Sequence, residues 1–348
     1  MKVYTGTDAA IDPMAIAEFA RRAEAAGYDG LHVSETVHDP FLLALLALQA
    51  TKRIVVRTSI ALAFVRSPLL TAYTAWDLSK LSGGRFHLGL GSQIQQNIED
   101  RYGMQWSAPA PRMREYIEVV RAAFETFRTG KLTPFEGTQY HFTRMQPYFN
   151  PGPDQETAVP PIYLGGVGQR MLEVAGAHAD GLITHPTNSD PTYLTDTCLP
   201  ALAEGAATTK RSLVGFDIVA GLQVITGATD ADVAAERERR RRLFAFLYST
   251  PAYRGALQRH GFPDLQEQLA TLVRYKQWDR LPQVVTDDIL GEVVVTASYA
   301  NLTETISRRL APLGGDTTLG VTLAMPENPD HDRMMAEIVE ELQTGPIV

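Results

Sequence analysis

Side chains that could do chemistry follow several predicted strands of this sequence, at the point where each strand ends. Glu35 and His38 come after the second strand, Ser92 and Gln93 after the fourth, and His185 after the sixth. Imidazole is the side chain whose pKa lies nearest neutrality, so His38 is our candidate general acid or base. Glu35 would orient His38 or carry a proton itself. Both could instead be structural, His38 as a helix cap and Glu35 in an ion pair.

A glycine-rich turn follows the fifth predicted strand and leads into a helix. Its members are Gly165, Gly166, Val167, Gly168, Gln169 and Arg170. Glycines let the backbone approach a ligand closely, the free N–H groups of a helix N-terminus attract anions, and Arg170 adds a positive charge. The segment therefore predicts a phosphate cradle, although a tight turn between a strand and a helix would have the same pattern.

Several common catalytic signatures are absent from the sequence. There is no P-loop, no HExxH zinc motif and no GxSxG nucleophile elbow. Gly89 and Gly91 begin a Gly-x-Gly without a third glycine, and they follow the fourth strand, so a Rossmann dinucleotide site is disfavoured. The eight histidines are scattered, so we expect no metal site and disfavour a metal-dependent barrel hydrolase. The single cysteine, Cys198, is expected to be inert core.

Three other features have a structural and a functional interpretation. The basic run from Arg237 to Arg242 is typical of a solvated, salt-bridged helix face, and the alternative is an anion site for a cofactor tail. His32 lies within a strand and is expected to be packed. A group of aromatic residues could roof an apolar pocket or simply pack. They are Trp106, Tyr140, Phe142, Tyr148 and Phe149.

Strand and helix patterns alternate along the chain and must position these residues. Strands are predicted at 2–5, 30–34, 53–63, 85–90, 161–164, 181–184, 214–225 and 318–324, and an aromatic hairpin at 133–149. Strands that alternate with helices require a parallel sheet, and eight strand–helix units fit a closed (β/α)8 TIM barrel of the α/β class. A doubly wound open sheet is the alternative. We expect a single domain over residues 1–348, with insertions after strand 4 and before strand 8, the latter at about 229–313.

Composition narrows the class of protein. The 348 residues are 45% hydrophobic and 21% charged, as in a typical globular enzyme. A net charge of −8 gives no field that favours nucleic acid or an anionic membrane. The N-terminus lacks the apolar stretch of a signal peptide, and the apolar stretch at 41–48 is too short to span a bilayer. We therefore expect a cytoplasmic enzyme that acts on a small-molecule substrate.

Four segments resemble the luciferase-like flavin and deazaflavin oxidoreductases. They read SETVHDPF (34–41), RTSIALAFVRSP (57–68), TAYTAWDLSKLSGGRFHLGLGSQ (71–93) and PIYLGGVGQRMLEVAGAHADGLITHP (161–186). The sequence is most similar to the actinobacterial branch that uses coenzyme F420. This resemblance implies a reductase or dehydrogenase that moves a hydride between C5 of the deazaflavin and a small organic substrate. It also implies a homodimer.

The resemblance further implies roles for particular residues. In the family, a non-prolyl cis peptide at the end of the third strand supports the cofactor ring, and it matches Ser59 and Ile60. Ser92 and Gln93 match positions beside the ring. The turn at 165–168 matches the segment that holds the cofactor phosphate. Independently of the resemblance, His185 is expected at the barrel mouth from its place after the sixth strand, where it would bind the cofactor or only shape the pocket. Sugar-phosphate dehydrogenases of the family carry a Glu where this chain has Gln93, which argues against sugar-phosphate chemistry.

Two other functions remain open. An FMN-dependent luciferase-like monooxygenase would keep the fold and use reduced FMN with oxygen. The sequence separates it poorly from an F420 enzyme, because the ring and phosphate contacts overlap. The other possibility is a barrel that binds or stores a cofactor without catalysis, which His38, Glu35 and the intact glycine turn disfavour.

Overall fold

Eight parallel strands close into a barrel in the computed structural model, which describes residues 1–313 and 318–345. The strands are β1 (Lys2–Gly6), β2 (Gly30–Val33), β3 (Val55–Thr58), β4 (Phe86–Gly91), β5 (Ile162–Gly165), β6 (Gly181–Ile183), β7 (Asp217–Ala220) and β8 (Thr318–Thr322). Each strand pairs with the next, and β8 returns to β1, where Lys2 lies opposite Gly320. The closed barrel confirms the predicted TIM fold over the open sheet.

Helices surround the barrel and follow the strands in order. They are α1 (Ile16–Ala25), α2 (Pro40–Ala50), α3 (Pro68–Ser82), α4 (Pro109–Thr129), α5 (Gln169–His178), α6 (Leu199–Thr209), α7 (Tyr299–Leu310) and α8 (Asp332–Thr344). Local sequence sets their ends. The Asp39 carboxylate accepts a hydrogen bond from the Phe41 N–H at the start of α2. Helix α3 ends at Gly83, which has the left-handed φ of 65° that glycine adopts readily.

A segment inserted between β7 and α7 has its own small sheet and core. Strand Val224–Gly227 pairs in parallel with strand Val295–Ser298. The helices between them are Asp230–Tyr248, Arg254–Arg259, Leu265–Arg274, Leu281–Val284 and Asp287–Val293. Their apolar residues, among them Phe244 and Leu269, form a cluster separate from the main core. This cluster ends at Val294, whereas Leu302 and Ile306 of α7 pack in the main core.

Three predicted elements differ from the structure. The strand expected at 214–225 is two strands, because the chain leaves the barrel after Ala220 and pairs with the inserted segment from Val224 onward. The strand expected at 53–63 ends at Thr58, and a two-residue strand, Ala61–Leu62, pairs with the end of β4. The predicted hairpin forms only two short antiparallel strands, Phe135–Glu136 and His141–Phe142.

Short helical turns make up the rest of the regular structure. They lie at Ala63–Val65, Asn97–Arg101, Pro147–Phe149, Pro186–Asn188, Pro191–Tyr193, Leu194–Cys198, Pro251–Tyr253, Trp278–Arg280, Ala311–Leu313 and Pro329–His331. Among the described residues, no helix combines the length and the apolar character needed to cross a membrane.

Two residues expected in the interior are buried. His32 is 6% exposed, and its ring stacks on Tyr4 inside the barrel with ring centres 4.9 Å apart. Cys198 is fully buried, and burial raises the pKa of its thiol to about 12. A protonated, inaccessible thiol is unreactive, as the sequence predicts.

Candidate functional site

A cavity of about 1570 Å³ opens at the barrel mouth, beyond the carboxyl ends of β3 to β6. This is the end of a TIM barrel where active sites lie. All of the residues predicted from the sequence as cofactor-binding line it. They are Ser59, Ile60, Ser92, Gln93, Gly165, Gly166, Val167, Gly168, Arg170 and His185. The loops that follow four separate strands thus meet at one cavity.

The floor of the cavity is the side chain of Ile60. The peptide bond between Ser59 and Ile60 is cis, as the resemblance implies. A Cβ added to Gly91 would lie 2.0 Å from Ile60 Cδ1, and one added to Gly165 would lie 2.9 Å from Ile60 Cγ2. Glycine at both strand ends is therefore what leaves room for Ile60. Below, Ile60 packs on an apolar cluster that includes Tyr163, so the floor is apolar and supported from beneath.

The amino end of α5 forms one side of the cavity. Gly168 is the N-cap residue and supplies no side-chain cap. The backbone N–H groups of Met171 and Leu172 both donate to the Gly168 carbonyl, while those of Gln169 and Arg170 have no partner among the residues that the structure describes. A Cβ added to Gly168 would have no heavy atom within 4 Å. Free N–H groups, open space and the exposed Arg170 side chain together suit an anion.

His185 presents a neutral imidazole to the cavity. The Thr187 N–H donates to His185 Nδ1 at 3.3 Å, and the Thr187 hydroxyl lies 2.7 Å from the same nitrogen. Burial lowers the pKa of His185 to about 4, so the ring is neutral near pH 7. The ring stacks on Tyr253 of the inserted segment, with ring centres 4.5 Å apart. Tyr253 also lines the cavity, so the inserted segment contributes one wall.

The loop after β4 holds Gln93 in an uncommon backbone conformation. Its φ is 59°, in the left-handed region that residues other than glycine rarely adopt. The Gln93 Oε1 accepts from the Ile94 N–H at 2.9 Å, and Ser92 Oγ donates to the Gln93 carbonyl at 3.2 Å. Non-glycine residues in this region cluster at functional sites. The side chain of Gln93 is thus engaged by its own loop.

The expectation that Glu35 orients His38 is wrong. The Glu35 carboxylate lies 2.7 Å from Arg66 Nη1 and accepts from the Leu62 N–H at 2.7 Å. Arg66 also binds Asp39 at 2.8 Å. Glu35 therefore takes the ion-pair role and ties the loop after β2 to the chain after β3. His38 is half-buried on this loop, and in the described part of the chain neither His38 nor Glu35 lines the cavity.

The predicted aromatic roof does not form over this cavity. Tyr148 is 91% exposed, and Phe142 is buried in the main core. Trp106 packs edge-on against Phe64 at 5.9 Å, and Tyr140 packs edge-on against Tyr116 at 5.5 Å. The hairpin folds back on α4 instead.

Sequence reasoning missed the cavity residues supplied by helices and by the inserted segment, because no motif marks them. They include Arg114, Glu204, Thr208 and Tyr253.

The basic run on the first helix of the inserted segment is engaged by carboxylates. Arg239 and Arg240 both pair with Glu236. Arg241 is buried and pairs with Glu238 and Asp287. These contacts support the salt-bridged helix face over an anion site. Within residues 1–313 and 318–345, no group of three His, Cys, Asp or Glu side chains is placed to hold a metal ion.

Comparison with known proteins identifies relatives over nearly the whole length. Protein Rv1360 of Mycobacterium tuberculosis is 39% identical over 298 residues, covering 84% of this chain and 87% of the relative. The F420-dependent glucose-6-phosphate dehydrogenase of Beutenbergia cavernae is 28% identical, covering 80% of this chain and 82% of the relative.

A solved structure has the same fold. The coenzyme F420-dependent tetrahydromethanopterin reductase of Methanopyrus kandleri superposes with a TM-score of 0.79 at 20% identity, covering 98% of each chain. The model of the luciferase-like monooxygenase family matches residues 2–317. The chain therefore belongs to the luciferase-like monooxygenase family, which confirms the resemblance seen in its sequence.

Proposed function

We propose that the protein is a coenzyme F420-dependent oxidoreductase that transfers a hydride between C5 of the deazaflavin and a small organic substrate. The observation that carries the proposal is one cavity with an apolar floor at Ile60 beside an uncapped helix N-terminus at Gly168. When bound, the deazaflavin supplies the hydride chemistry, and the protein supplies position and a proton.

The residues present fit such a cofactor. A planar ring system would rest on Ile60, between the glycine-backed strand ends and the His185 wall. Its phosphate would meet the free N–H groups of α5 and the Arg170 side chain. The neutral His185 would offer a hydrogen bond to the ring or to the substrate.

The relatives favour F420 over FMN. The glucose-6-phosphate dehydrogenase and the reductase described above are both F420-dependent by name. The alternative, an FMN-dependent monooxygenase, rests on the name of the family and on similar solved structures such as the EDTA monooxygenase of Chelativorans sp. BNC1, which superposes with a TM-score of 0.73 at 14% identity. Two assays separate them. Under anaerobic conditions, the proposed function predicts that the protein changes the absorbance of oxidised F420 when an alcohol is added, or that of reduced F420 when a hydride acceptor is added. Oxygen consumption with reduced FMN, and no reaction with F420, would contradict the proposal.

His38 is proposed as the group that exchanges the proton. His185 is held neutral by burial, so it serves better as a hydrogen-bonding group than as an acid, whereas His38 is half-buried on the loop after β2. We expect His38→Ala to reduce turnover by at least about 100-fold, the low end for general acid–base catalysis, with cofactor affinity unchanged. His185→Ala should mainly weaken binding. Unchanged turnover in His38→Ala, or the large loss in His185→Ala alone, would reject this assignment.

We also infer a homodimer that pairs through the outer faces of α2 and α3. Leu42 on α2 is 64% exposed, and Leu70 on α3 is 65% exposed. An exposed apolar face of this kind is typical of an interface. Sedimentation should give two chains per particle for the wild type and one for the Leu42→Glu/Leu70→Glu variant. Val214→Glu, at a still more exposed apolar position before β7, is the control. A monomeric wild type would contradict the inference.

A further inference from the structure

A charged side chain lies inside the barrel, against the apolar cluster that supports the cavity floor. Arg57 on β3 is fully buried. Its guanidinium stacks 3.6 Å from the ring centre of Tyr163 and lies 4.8 Å from that of Tyr4. Tyr4 and Tyr163 belong to the apolar cluster on which Ile60 packs, and this cluster includes Ile183. Ile60 and Ile183 both line the cavity. The apolar cluster therefore lies between the guanidinium and the residues that line the cavity.

The charge of Arg57 has no ion-pair partner within the residues that the structure describes. Its Nη1 lies 3.4 Å from His32 Nε2, and its Nη2 lies 3.3 Å from His87 Nδ1. A guanidinium only donates, so both imidazole nitrogens accept. Burial lowers the pKa of both histidines, that of His87 to about 3, so both are neutral near pH 7. Arg57 Nε is buried without any partner among the same residues.

A buried charge of this kind is unfavourable for folding. Transfer of an ion out of water is costly, and the stacking on two tyrosine rings offsets only part of that cost. An apolar side chain of similar volume would fill the same space without the cost of burying a charge. The charge also acts strongly on its surroundings, because the barrel interior screens electrostatic interactions poorly.

We propose that Arg57 tunes the bound cofactor, because its buried positive charge favours the anionic form of a deazaflavin ring that rests on Ile60. This inference rests on the proposed function, since it concerns the same site. A deazaflavin ring has neutral and anionic forms that absorb light differently. A positive charge beneath the ring lowers the pH at which its proton leaves. Arg57 is thus a positioning residue that acts through the floor, without touching the ring.

Other charged and titratable groups face the same space and must be separated from Arg57. Around the cavity they are Arg114, Arg170, Glu173, His178, His185, Glu204 and Tyr253. On the far side of Tyr163, Asp217 of β7 accepts from the Tyr163 hydroxyl and lies 3.6 Å from Lys2. The cavity arginines are exposed. Concentrated salt therefore screens them, whereas it screens a fully buried charge much less.

The test is a pH titration of coenzyme F420 bound to the protein, followed by its absorbance. It is run in about 0.1 M and about 1 M KCl, where the screening length falls from about 10 Å to about 3 Å. The proteins are the wild type, Arg57→Met, Arg57→Lys and Lys52→Met. Lys52 is exposed just before β3 and controls for net charge.

We expect the wild-type complex to ionise at least about one pH unit below free F420, at both salt concentrations. Arg57→Lys and Lys52→Met should keep most of this difference, and Arg57→Met should lose it. An unchanged midpoint in a folded Arg57→Met protein would overturn the proposal. If Arg57→Met does not fold, the wild-type titration tests the proposal. The proposal is overturned if bound and free F420 ionise at the same pH, or if the difference between them is lost in concentrated salt. Failure of F420 to bind the wild type would contradict the proposed function instead.

Discussion

At the scale of single residues, the site depends on glycines, whose lack of a side chain leaves space at three positions. Gly91 and Gly165 lie where a Cβ would collide with Ile60, whereas Gly168 lies where a Cβ would meet nothing. The first two glycines thus leave room for the floor residue, and the third leaves open space at the helix N-terminus, where we propose that the cofactor phosphate binds. The same residue type has a packing role at two strand ends and a proposed binding role at the helix N-terminus.

Substitution of these glycines separates folding from binding. We expect Gly91→Ala to lower the free energy of unfolding by about 1–3 kcal/mol, because the added methyl group displaces Ile60. Gly168→Ala should change the free energy of unfolding by no more than about 1 kcal/mol and yet weaken cofactor binding, because the methyl group enters the cradle. Urea unfolding and calorimetric titration measure the two effects. Equal destabilisation by both substitutions would contradict the assignment.

Residues in contiguous motifs could be predicted from the sequence, and residues with distant partners could not. The glycine turn occurs in a short segment whose pattern is sufficient to place it, and the cis peptide at Ser59–Ile60 is implied by the family resemblance of its segment. The partner of Glu35, Arg66, comes after the next strand, and nothing in the sequence selects it over His38. Tyr253 reaches the cavity from an inserted segment whose position depends on tertiary packing.

At the scale of elements, Glu115 on α4 fixes the hairpin that was expected to roof the site. Its carboxylate is 2% exposed and accepts from the N–H groups of Thr138, Gln139 and Tyr140 and from the Thr138 hydroxyl. Burial alone would raise the pKa of Glu115, but these hydrogen bonds outweigh it and lower the pKa. One buried carboxylate thus draws the hairpin against α4 and away from the mouth.

Removal of this carboxylate should loosen the hairpin. Glu115→Ala leaves three backbone donors without their acceptor, so we expect a loss of about 2–3 kcal/mol in the free energy of unfolding. Proteolysis within 133–149 should also become faster. Glu125→Gln on the same helix, where the carboxylate is exposed and pairs with Arg128, should behave like the wild type. Equal stability of the two variants would show that Glu115 does not anchor the hairpin.

The alternating pattern predicted all eight barrel strands, because each buried strand and amphipathic helix carries its own periodicity. The predictions fail where the choice of pairing partner decides which residues form a strand. The apolar run at 214–225 is continuous in sequence, but its second half pairs with Val295–Ser298 rather than with the barrel. The aromatic hairpin has strand-forming residues but only two pairs of facing residues.

At the scale of the whole molecule, several histidines are buried as neutral rings. Burial lowers the pKa of His178 and His185 to about 4 and that of His87 to about 3, and it lowers the pKa of His32 as well. An unfolded histidine titrates near pH 6.5. Between that pH and the folded values, the unfolded chain binds more protons, so stability falls as the pH falls.

We therefore expect the free energy of unfolding to decrease by at least about 3 kcal/mol between about pH 7 and about pH 5, since each histidine contributes up to about 1.4 kcal/mol per pH unit. Urea unfolding at a series of pH values measures this slope. His178→Gln should make it shallower, and His141→Gln, at an exposed position, should not. A wild-type stability that does not change over this range would contradict the buried neutral state.

The central claim is that the cavity at the barrel mouth binds a deazaflavin in preference to a flavin. The most direct measurement is a calorimetric or fluorescence titration of the purified protein with coenzyme F420 and, separately, with FMN. The account predicts tight, one-to-one binding of F420 and weak binding of FMN, with F420 affinity reduced in Gly168→Ala. Preference for FMN would contradict the claim and assign the protein to the oxygen-dependent side of its family. Absence of binding by either cofactor would contradict the functional account as a whole.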